Sequence, residues 1–297
     1  MRPFGLPGGR EVKFPNGSEV AGYRIEELLC HGSMAAVYEA TQLSLQRTVA
    51  LKVLADEFGE DPVFRERFKR EGVLQAKLDH PHIVAIYEAG EAEEGLFLAM
   101  CLIRGPTLKE IIVPHEGLDT GRTLHLLRAV AEGLDAAHEV GLIHRDVKPQ
   151  NILIGADDHA YLADFGLTKG VGGATLTGSG QFIGTIDYVC PEQVRGVGAC
   201  PQSDVYGLAS VLYECLTGEV PYPKNSDAAV LYAHAAEPPP SVTERRPDLP
   251  HEIDDVIAKG MAKASDDRYQ SAWKLMRSAE AALGEEASRP PAPSQAR

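Results

Sequence analysis

The stretch that decides the fold is His144-Arg145-Asp146-Val147-Lys148-Pro149-Gln150-Asn151, and Asp164-Phe165-Gly166 begins 13 residues after its last residue. Both stretches place carboxylate, amide or cationic side chains within a few positions. An ordinary charged loop would explain either stretch taken alone. Their order and separation disfavour that interpretation, and together they predict one site to which both contribute.

This pattern resembles the catalytic loop and the metal-binding triplet of eukaryotic-like (Hanks-type) protein kinases, in particular bacterial serine/threonine kinases. The resemblance implies that Asp146 meets the acceptor hydroxyl in line with the transferred phosphoryl group, and that Lys148 steadies the γ-phosphate. It also implies that Asn151 and Asp164 hold Mg²⁺ against the phosphates of ATP, with Mn²⁺ as an alternative metal.

A predicted strand upstream supplies a candidate phosphate-binding lysine. Lys52 ends the run Val49-Ala50-Leu51-Lys52, and a lysine within an apolar run is expected to extend its ammonium group to a partner. The resemblance implies that this partner is Glu71, in the first predicted helix, and that both residues are catalytic. The alternative interpretation of Glu71 is a solvated helix carboxylate, which the surrounding motifs disfavour.

The glycine-rich loop departs from the family pattern Gly-x-Gly-x-x-Gly-x-Val. The corresponding positions are Cys30, Gly32, Ala35 and Val37, so that only the middle glycine remains. Glycines let backbone amides approach phosphates closely. The substitutions therefore predict weakened ATP binding without loss of the fold.

The resemblance also implies an adenine site at the connection between two lobes. Main-chain groups of Cys101 and Ile103 would hydrogen-bond the base, after a gatekeeper residue at Met100. Apolar side chains would enclose its faces, namely Val37, Ala50 and Leu153. Such residues are more often plain core, and the contact interpretation depends on the stronger motifs around them.

The segment 164–192 corresponds to the activation segment. Its predicted phosphorylation positions are Thr175, Thr177 and Ser179. A phosphate there would add negative charge, and Arg145 is a nearby cation that could pair with it. The alternative interpretation is a glycine-rich loop that carries no modification.

Four residues are expected to support the site structurally. Glu192 should pair with Arg268, and this pair would fix the far end of the activation segment. Asp204 should brace the backbone of the catalytic loop from a buried helix. Thr185 is interpreted as a structural residue that bonds the side chains of the catalytic loop.

Hydrophobic patterns predict a small β-rich half with one helix within it, followed by a larger helical half, and therefore two lobes. The resemblance implies that this α+β, bilobal arrangement is the protein-kinase fold, with an N-lobe and a C-lobe. The predicted strands cover 49–54, 83–87 and 96–100. The predicted helices cover 62–78, 118–140, 203–216, 228–235, 253–261 and 271–283. The predicted domains are a flexible tail (1–20), a kinase domain (21–284, with an N-lobe of about 21–101 and a C-lobe of about 104–284) and a Pro-rich linker (285–297).

Composition bounds the location and partners of the protein. The formal charge of −14 disfavours non-specific nucleic-acid binding, and five scattered cysteines without a C-x-x-C pair fit a reducing compartment. No apolar run approaches the roughly 20 residues that span a bilayer. We therefore expect a cytoplasmic segment without membrane contact; the resemblance adds a membrane segment beyond residue 297 as an expectation for the full-length protein.

The expected function is transfer of the γ-phosphate of ATP to protein Ser/Thr hydroxyls, with autophosphorylation on the activation segment. Expected partners are protein substrates and a second kinase domain for phosphorylation in trans. One alternative is a pseudokinase scaffold, supported by the eroded glycine loop and by polar Gln75. A small-molecule phosphotransferase is disfavoured by Lys148-Pro149, Thr185, Pro191-Glu192 and Arg268.

Overall fold

The computed structural model describes residues 14–32, 35–55, 61–166 and 185–284. The first 13 residues of the predicted tail, the Pro-rich linker and the three predicted phosphorylation positions lie outside these ranges. The chain forms two compact units, one of Met1–Arg65 with Tyr87–Leu102 and one of Glu66–Ile86 with Ile103–Arg297.

The first unit is built on a six-stranded sheet with the strand order β1-β2-β3-β4-β6-β5. Its strands are β1 (Glu19–Val20), β2 (Tyr23–His31), β3 (Ala35–Gln42), β4 (Arg47–Leu54), β5 (Ile86–Ala92) and β6 (Gly95–Met100). Along β3, Ala36, Tyr38 and Ala40 are buried and alternate with less buried residues. This period of two is typical of a strand with one face on a core. The central strand β4 buries Val49, Ala50 and Leu51 in succession, since β3 and β6 flank it.

Helix α1 (Pro62–Ala76) begins in the first unit and belongs to the second from residue 66 onward. Its buried residues include Phe64, Phe68, Glu71 and Gln75, at spacings that place them along one helical face. Val73 is apolar but lies outside this face, because it is 53% exposed. Two polar side chains occupy the inner face in its place.

The second unit is mainly helical and surrounds one buried helix. Its helices are α2 (Leu108–Ile111), α3 (Thr120–Glu139), α4 (Pro191–Val194), α5 (Pro201–Thr217), α6 (Asp227–Ala236), α7 (Glu252–Gly260) and α8 (Ala272–Leu283). Every residue of α5 from Ser203 to Thr217 is buried, and α3, α7 and α8 all contact it. A helix that is apolar around most of its circumference is buried on all sides. A two-stranded antiparallel sheet, β7 (Ile152–Ile154) with β8 (Ala160–Leu162), completes the unit.

The α+β prediction is confirmed. The observed bounds of α1, and of the five long helices of the second unit (α3, α5, α6, α7 and α8), agree with the predicted bounds to within about two residues. The strand predicted over 83–87 begins only at Ile86. The reason is that Ile83 forms an isolated parallel bridge with Leu162, and the Val84 amide donates to the Leu162 carbonyl at 2.9 Å. These contacts attach residues 83 and 84 to β8 instead of the six-stranded sheet. Within the described ranges, no helix is long and apolar enough to cross a membrane.

The C-terminus of α5 gives a first testable prediction. Gly218 ends this helix at φ 72°, and a Cβ there would lie 2.4 Å from the Val113 carbonyl oxygen. Gly141 has a similar φ of 77° but no atom within 4 Å of an added Cβ. We expect Gly141→Ala to lower the free energy of unfolding by only ~1–2 kcal/mol, which is the cost of a left-handed backbone conformation for a residue with a Cβ. Gly218→Ala should cost a further ~1–3 kcal/mol for overpacking.

The measurement is the free energy of unfolding in urea for both variants beside the parent protein. The Gly141→Ala variant is the matched control, since it changes the same residue type at the same backbone angle. Equal losses in the two variants would show that backbone conformation, and not contact with Val113, governs Gly218.

Candidate active site

The imidazole of His144 connects the two stretches that define the site. It is fully buried, its Nε2 donates to the Ala163 carbonyl at 2.9 Å, and its Nδ1 accepts from the Asp146 amide at 3.2 Å. Burial lowers the pKa of His144, against the opposing charge of Asp204. A neutral ring with one donor and one acceptor satisfies both bonds, and it fixes the backbone of Asp146 relative to the residue before Asp164.

The carboxylate of Asp204, on helix α5, holds the backbone of the predicted catalytic loop through hydrogen bonds. It is 1% exposed and accepts from the amides of His144 and Arg145, each at 2.8 Å. His138 Nε2, at 2.7 Å, is a third partner. The contact predicted between Asp204 and the loop backbone is therefore present, and the buried charge is satisfied on several sides.

Two residues of the loops adopt left-handed backbone conformations that favour glycine. Arg145 has φ 66° and Asp164 has φ 56°. Such conformations persist where the surroundings over-determine them. The backbone of Arg145 is held through its amide by Asp204 and through its carbonyl by Gln193 Nε2 at 2.8 Å. The Gly166 amide also donates to the His144 carbonyl at 2.7 Å, so that the segment after Asp164 is attached to the same loop.

Asp146 is oriented by its neighbours in the loop. Asn151 Nδ2 donates to the Asp146 carbonyl at 2.8 Å and to its Oδ2 at 3.1 Å. Lys148 Nζ lies 2.9 Å from the same Oδ2. The structure thus brings together three of the residues predicted to be catalytic or metal-binding, Asp146, Lys148 and Asn151.

The fourth of these residues, Asp164, is brought close by strand pairing. Asn151 immediately precedes β7, Asp164 follows β8 by two positions, and Ile152 pairs with Leu162 in the antiparallel register. Because antiparallel strands place the start of one beside the end of the other, Asn151 and Asp164 lie at the same end of this small sheet. The Ala163 amide donates to the Asn151 carbonyl at 2.8 Å, which joins the two ends directly.

The donor set fits the cation that the sequence predicts. Both hydrogen bonds of the Asn151 amide use its nitrogen, so the side-chain oxygen is the atom offered to a cation. Mg²⁺ prefers oxygen ligands and is commonly held by one or two protein groups together with substrate phosphates. Within the described residues, no group of three or more His, Cys, Asp and Glu side chains could hold a metal ion. Two oxygen donors at one sheet end therefore agree with a magnesium–nucleotide site and not with an all-protein metal cage.

Glu71 has a partner that the sequence did not indicate. Its side chain is buried, and its Oε1 accepts from Arg145 Nη1 at 2.7 Å. The predicted pair between Lys52 and Glu71 would join the two units and stays a prediction. The sequence carries no signal for the Arg145 contact, because the two residues are 74 positions apart and each has a plausible partner elsewhere.

In the first unit, the strand register collects the predicted nucleotide-binding residues. Cys30 pairs with Val37, Val37 pairs with Lys52, and Ala50 pairs with Met100. Lys52 and Ala50 are two positions apart on β4, so they share a face of the sheet, and paired residues share a face as well. Gly32, whose amide donates to the Ala35 carbonyl at 2.9 Å, and Cys101 flank these strands. Ile103 and Leu153 belong to the second unit.

The far end of the activation segment is fixed by the predicted pair of Glu192 and Arg268. The guanidinium donates through Nη1 to Oε1 at 2.7 Å and through Nη2 to Oε2 at 2.8 Å, and Ser203 Oγ adds a bond of 2.6 Å. Arg268 is 2% exposed. A bidentate, buried pair of this kind is among the stronger polar contacts in proteins. Thr185 lines a small cavity together with Asp146, and its predicted bonds stay a prediction.

Sequence reasoning missed two residues that hold the loop, Gln193 and His138. Gln193 immediately follows Pro191-Glu192, where a capping position of a short helix could have been suspected. Its side chain also contacts the amide of Cys190 through Oε1 at 3.2 Å. His138 lies in the last turn of α3 and carries no motif, so that only the fold reveals its contact with Asp204.

The Glu192–Arg268 pair predicts a pH dependence of stability. Burial raises the pKa of Glu192, but hydrogen bonds from Arg268 and Ser203 lower it more, to about 2. A depressed folded-state pKa adds stability above the ordinary carboxyl pKa, and this stability is lost as the pH falls through the folded-state value. We therefore expect the unfolding free energy of the parent protein to fall between about pH 4.5 and pH 2 more steeply than that of Glu192→Gln.

The measurement is a series of urea unfolding curves across that pH window. Glu244→Gln, at an exposed carboxylate outside the site, is the matched control and should keep the parent slope. Identical slopes for the parent and Glu192→Gln would contradict the assigned pKa.

The geometry can be compared with that of known proteins. Residues 23–279 match the protein kinase domain family. The chain is similar to serine/threonine-protein kinase PknH of Mycobacterium tuberculosis, with 42% identity over 269 residues that cover 91% of this chain and 43% of the relative. It is also similar to serine/threonine-protein kinase PknD of the same organism, with 40% identity over 268 residues that cover 90% and 40% of the two chains. The chain thus spans less than half the length of these curated relatives.

A solved structure gives the same result for the fold. The crystal structure of the Mycobacterium tuberculosis PknI kinase domain matches with a TM-score of 0.73 at 29% identity. The match covers 90% of this chain and 99% of that one.

Proposed function

Because the chain belongs to the protein kinase domain family, we propose that it transfers the γ-phosphate of ATP to serine and threonine hydroxyls of proteins. Its fold is the protein-kinase fold, and its domain is of the serine/threonine-protein kinase type. The observation that carries the proposal is the arrangement around Asp146, whose carboxylate is held by Asn151 and Lys148 on a loop fixed to a buried helix.

Asp146 is the proposed catalytic carboxylate. Hydrogen bonds from Asn151 and the ammonium of Lys148 orient this carboxylate through one of its oxygens, and its proposed role is to accept a hydrogen bond from an incoming hydroxyl. An oriented acceptor of this kind positions the nucleophile and takes up its proton. Lys148, bound to the same oxygen, is placed to meet negative charge next to that hydroxyl.

Asn151 and Asp164 are the proposed ligands of Mg²⁺, with Mn²⁺ as an alternative. Bound magnesium–ATP would supply the phosphoryl group and neutralise charge on its oxygens. The role of the chain is to hold these two oxygen donors at one end of the β7–β8 pair. The register of these strands and the hydrogen bond from the Ala163 amide to the Asn151 carbonyl support this proposal.

We also propose that Lys52 binds the α- and β-phosphates and that Glu71 orients it. Their roles follow from the family pattern, and the register of Val37, Lys52, Ala50 and Met100 on one sheet face supports a nucleotide surface there. The adenine contacts of Cys101, Ile103 and Leu153, and the ribose-side position of Cys30, are proposed on the same basis.

The partners and the location of the protein are also proposed on the basis of the family. Proteins are the substrates, and a second kinase domain is the partner for phosphorylation in trans. We place the domain in the cytoplasm, with lobes of about 21–101 and 104–284, and we propose that the full-length protein continues beyond residue 297. Nucleic acid is disfavoured by the net charge of −14.

Asp146→Asn gives the decisive test of the catalytic assignment. The amide keeps the size and some hydrogen bonds of the carboxylate, so that the fold and nucleotide binding should persist. Phosphoryl transfer should fall by about 10²–10⁴-fold, because the acceptor for the hydroxyl proton is lost. Asp255→Asn, at an exposed position of α7, is the matched control and should keep the parent rate.

The measurement is incorporation of labelled γ-phosphate into protein, alongside ATP binding by calorimetry. A parent protein that binds ATP without transfer would favour a pseudokinase, which the loss of two loop glycines supports. Near-parent turnover in Asp146→Asn would show that the mechanism is wrong.

Phosphorylation of the activation segment gives a second test. Arg145 already pairs with Glu71, so a phosphate on Thr177 or Ser179 would have to attract a guanidinium that is engaged. We expect autophosphorylation within residues 168–179. The Thr177→Ala, Ser179→Ala double variant should be less active, because it lacks the phosphate charge of about −1.5 to −2 that would pair with Arg145. Mass mapping of active protein and the rate of the double variant measure this. An unmodified segment at full parent turnover would refute it.

A further inference from the structure

A cavity of about 310 Å³ lies in the second unit and shares none of its lining with the candidate active site. It lies where helix α3 meets the turn between β7 and β8 and the loop that precedes β5. We call it the imidazole cavity, because three histidines line it together with both acidic and basic groups. The residues that matter here are His82, His125, Arg128, Glu132, Asp157 and His159.

Backbone contacts fix the proton positions of two of the rings. His82 Nδ1 lies 3.1 Å from the Ala160 carbonyl, and His159 Nε2 lies 2.8 Å from the Pro81 carbonyl. Carbonyl oxygens only accept hydrogen bonds, so both nitrogens carry protons. In the neutral rings, His82 Nε2 and His159 Nδ1 are therefore acceptors. The two rings are stacked, with centroids 4.6 Å apart and an interplanar angle of 27°.

The acceptor nitrogen of His82 faces another acceptor. Its Nε2 lies 3.8 Å from Glu132 Oε2, which is beyond hydrogen-bond distance. Burial lowers the pKa of His82, and the neighbouring rings of His159 and His80 lower it further, against the Ala160 carbonyl and Glu132. The ring is therefore neutral near pH 7, and a lone pair faces a carboxylate across a gap that a ligand with hydrogen-bond donors would bridge.

The charges around the cavity favour a cation. Asp158 is neutralised by Arg122, which donates to it at 2.9 and 2.8 Å. Arg128 is engaged with Glu132 at 3.4 Å and stacks on the Trp273 ring, with 4.9 Å from its guanidinium carbon to the ring centroid. Asp157 then adds a carboxylate at the exposed edge of the cavity, so the acidic groups outnumber the basic ones.

The size and geometry of the cavity distinguish between kinds of cation. A volume of about 310 Å³ is at the lower end of the range for small organic groups and far exceeds that of a bare ion. The described residues also lack any group of three His, Cys, Asp and Glu side chains able to hold a metal ion. A guanidinium is planar, donates in a fork that matches carboxylates, and stacks on aromatic rings. The carboxylates of Glu132 and Asp157 and the acceptor nitrogen of His82 offer the hydrogen-bond contacts.

We propose that the imidazole cavity binds a guanidinium group, which donates to Glu132 and Asp157 and to the acceptor nitrogen of His82. Two sources supply this chemistry, an arginine side chain of a protein and a free arginine-like small molecule. The proposal does not depend on kinase activity, because the cavity lies apart from Asp146, Asn151 and Asp164.

The experiment is a titration of the 297-residue chain, followed through the ring proton resonances of His82 and His159 in nuclear magnetic resonance spectra. N-acetyl-arginine amide represents a protein side chain, and agmatine represents a free small molecule. We expect saturable shifts of both histidines with at least one of these probes, and the tighter probe identifies the source. N-acetyl-citrulline amide, a neutral isostere, should give no saturable shift.

Variants locate the binding groups. Glu132→Gln with Asp157→Asn should weaken the guanidinium by about tenfold or more, because both charge-assisted hydrogen bonds are lost. Glu139→Gln, at an exposed carboxylate of the same helix, is the matched control and should bind like the parent. Binding that is equal for citrulline and arginine probes, unchanged in the double variant, or absent while zinc chloride gives saturable shifts of both rings would overturn the proposal.

Discussion

The buried carboxylate of Asp204 is the contact on which the candidate active site depends. A charge inside a protein is tolerated only where donors replace the lost water, and Asp204 has two backbone amides and one imidazole for this purpose. The loop needs Asp204 in return, because it forms no regular secondary structure. Without Asp204 those two amides would lack hydrogen-bond partners. Since helix α5 is buried along nearly its whole length, the loop is attached to a core element of the unit.

From this anchor the remaining geometry follows in short steps. The amides of His144 and Arg145 are fixed first, and the ring of His144 then joins the Asp146 amide to the Ala163 carbonyl. The residue after Ala163 is Asp164, so a chain of hydrogen bonds leads from a core helix to the proposed metal ligand. The left-handed backbone of Arg145 costs free energy and is retained because Asp204 and Gln193 hold it from both sides. Replacing any one of these partners would therefore disturb more than one proposed functional group.

The resemblance to the kinase pattern predicts two parts of this arrangement. Asn151 and Asp164 were placed together because a known loop pattern implied neighbouring strand ends, and the Glu192–Arg268 pair followed from the same resemblance. Periodicity predicts the long helices, but it does not settle which face of α1 is buried. There Val73 is exposed while Glu71 and Gln75 are buried, because the face of α1 is chosen by tertiary contacts that a local pattern does not contain. Ile83 was assigned to a strand for the same reason, since its pairing partner Leu162 is distant in sequence.

The pairing of Glu71 with Arg145 limits how the site can change state. Glu71 is 4% exposed, and removing the partner of a buried charge costs roughly 3–5 kcal/mol. Arg145 therefore cannot simply be withdrawn from Glu71 by a competing anion such as a phosphate. A second cation has to replace it on the carboxylate as it leaves. Any change of partners at this position therefore has to keep both the carboxylate and the guanidinium neutralised.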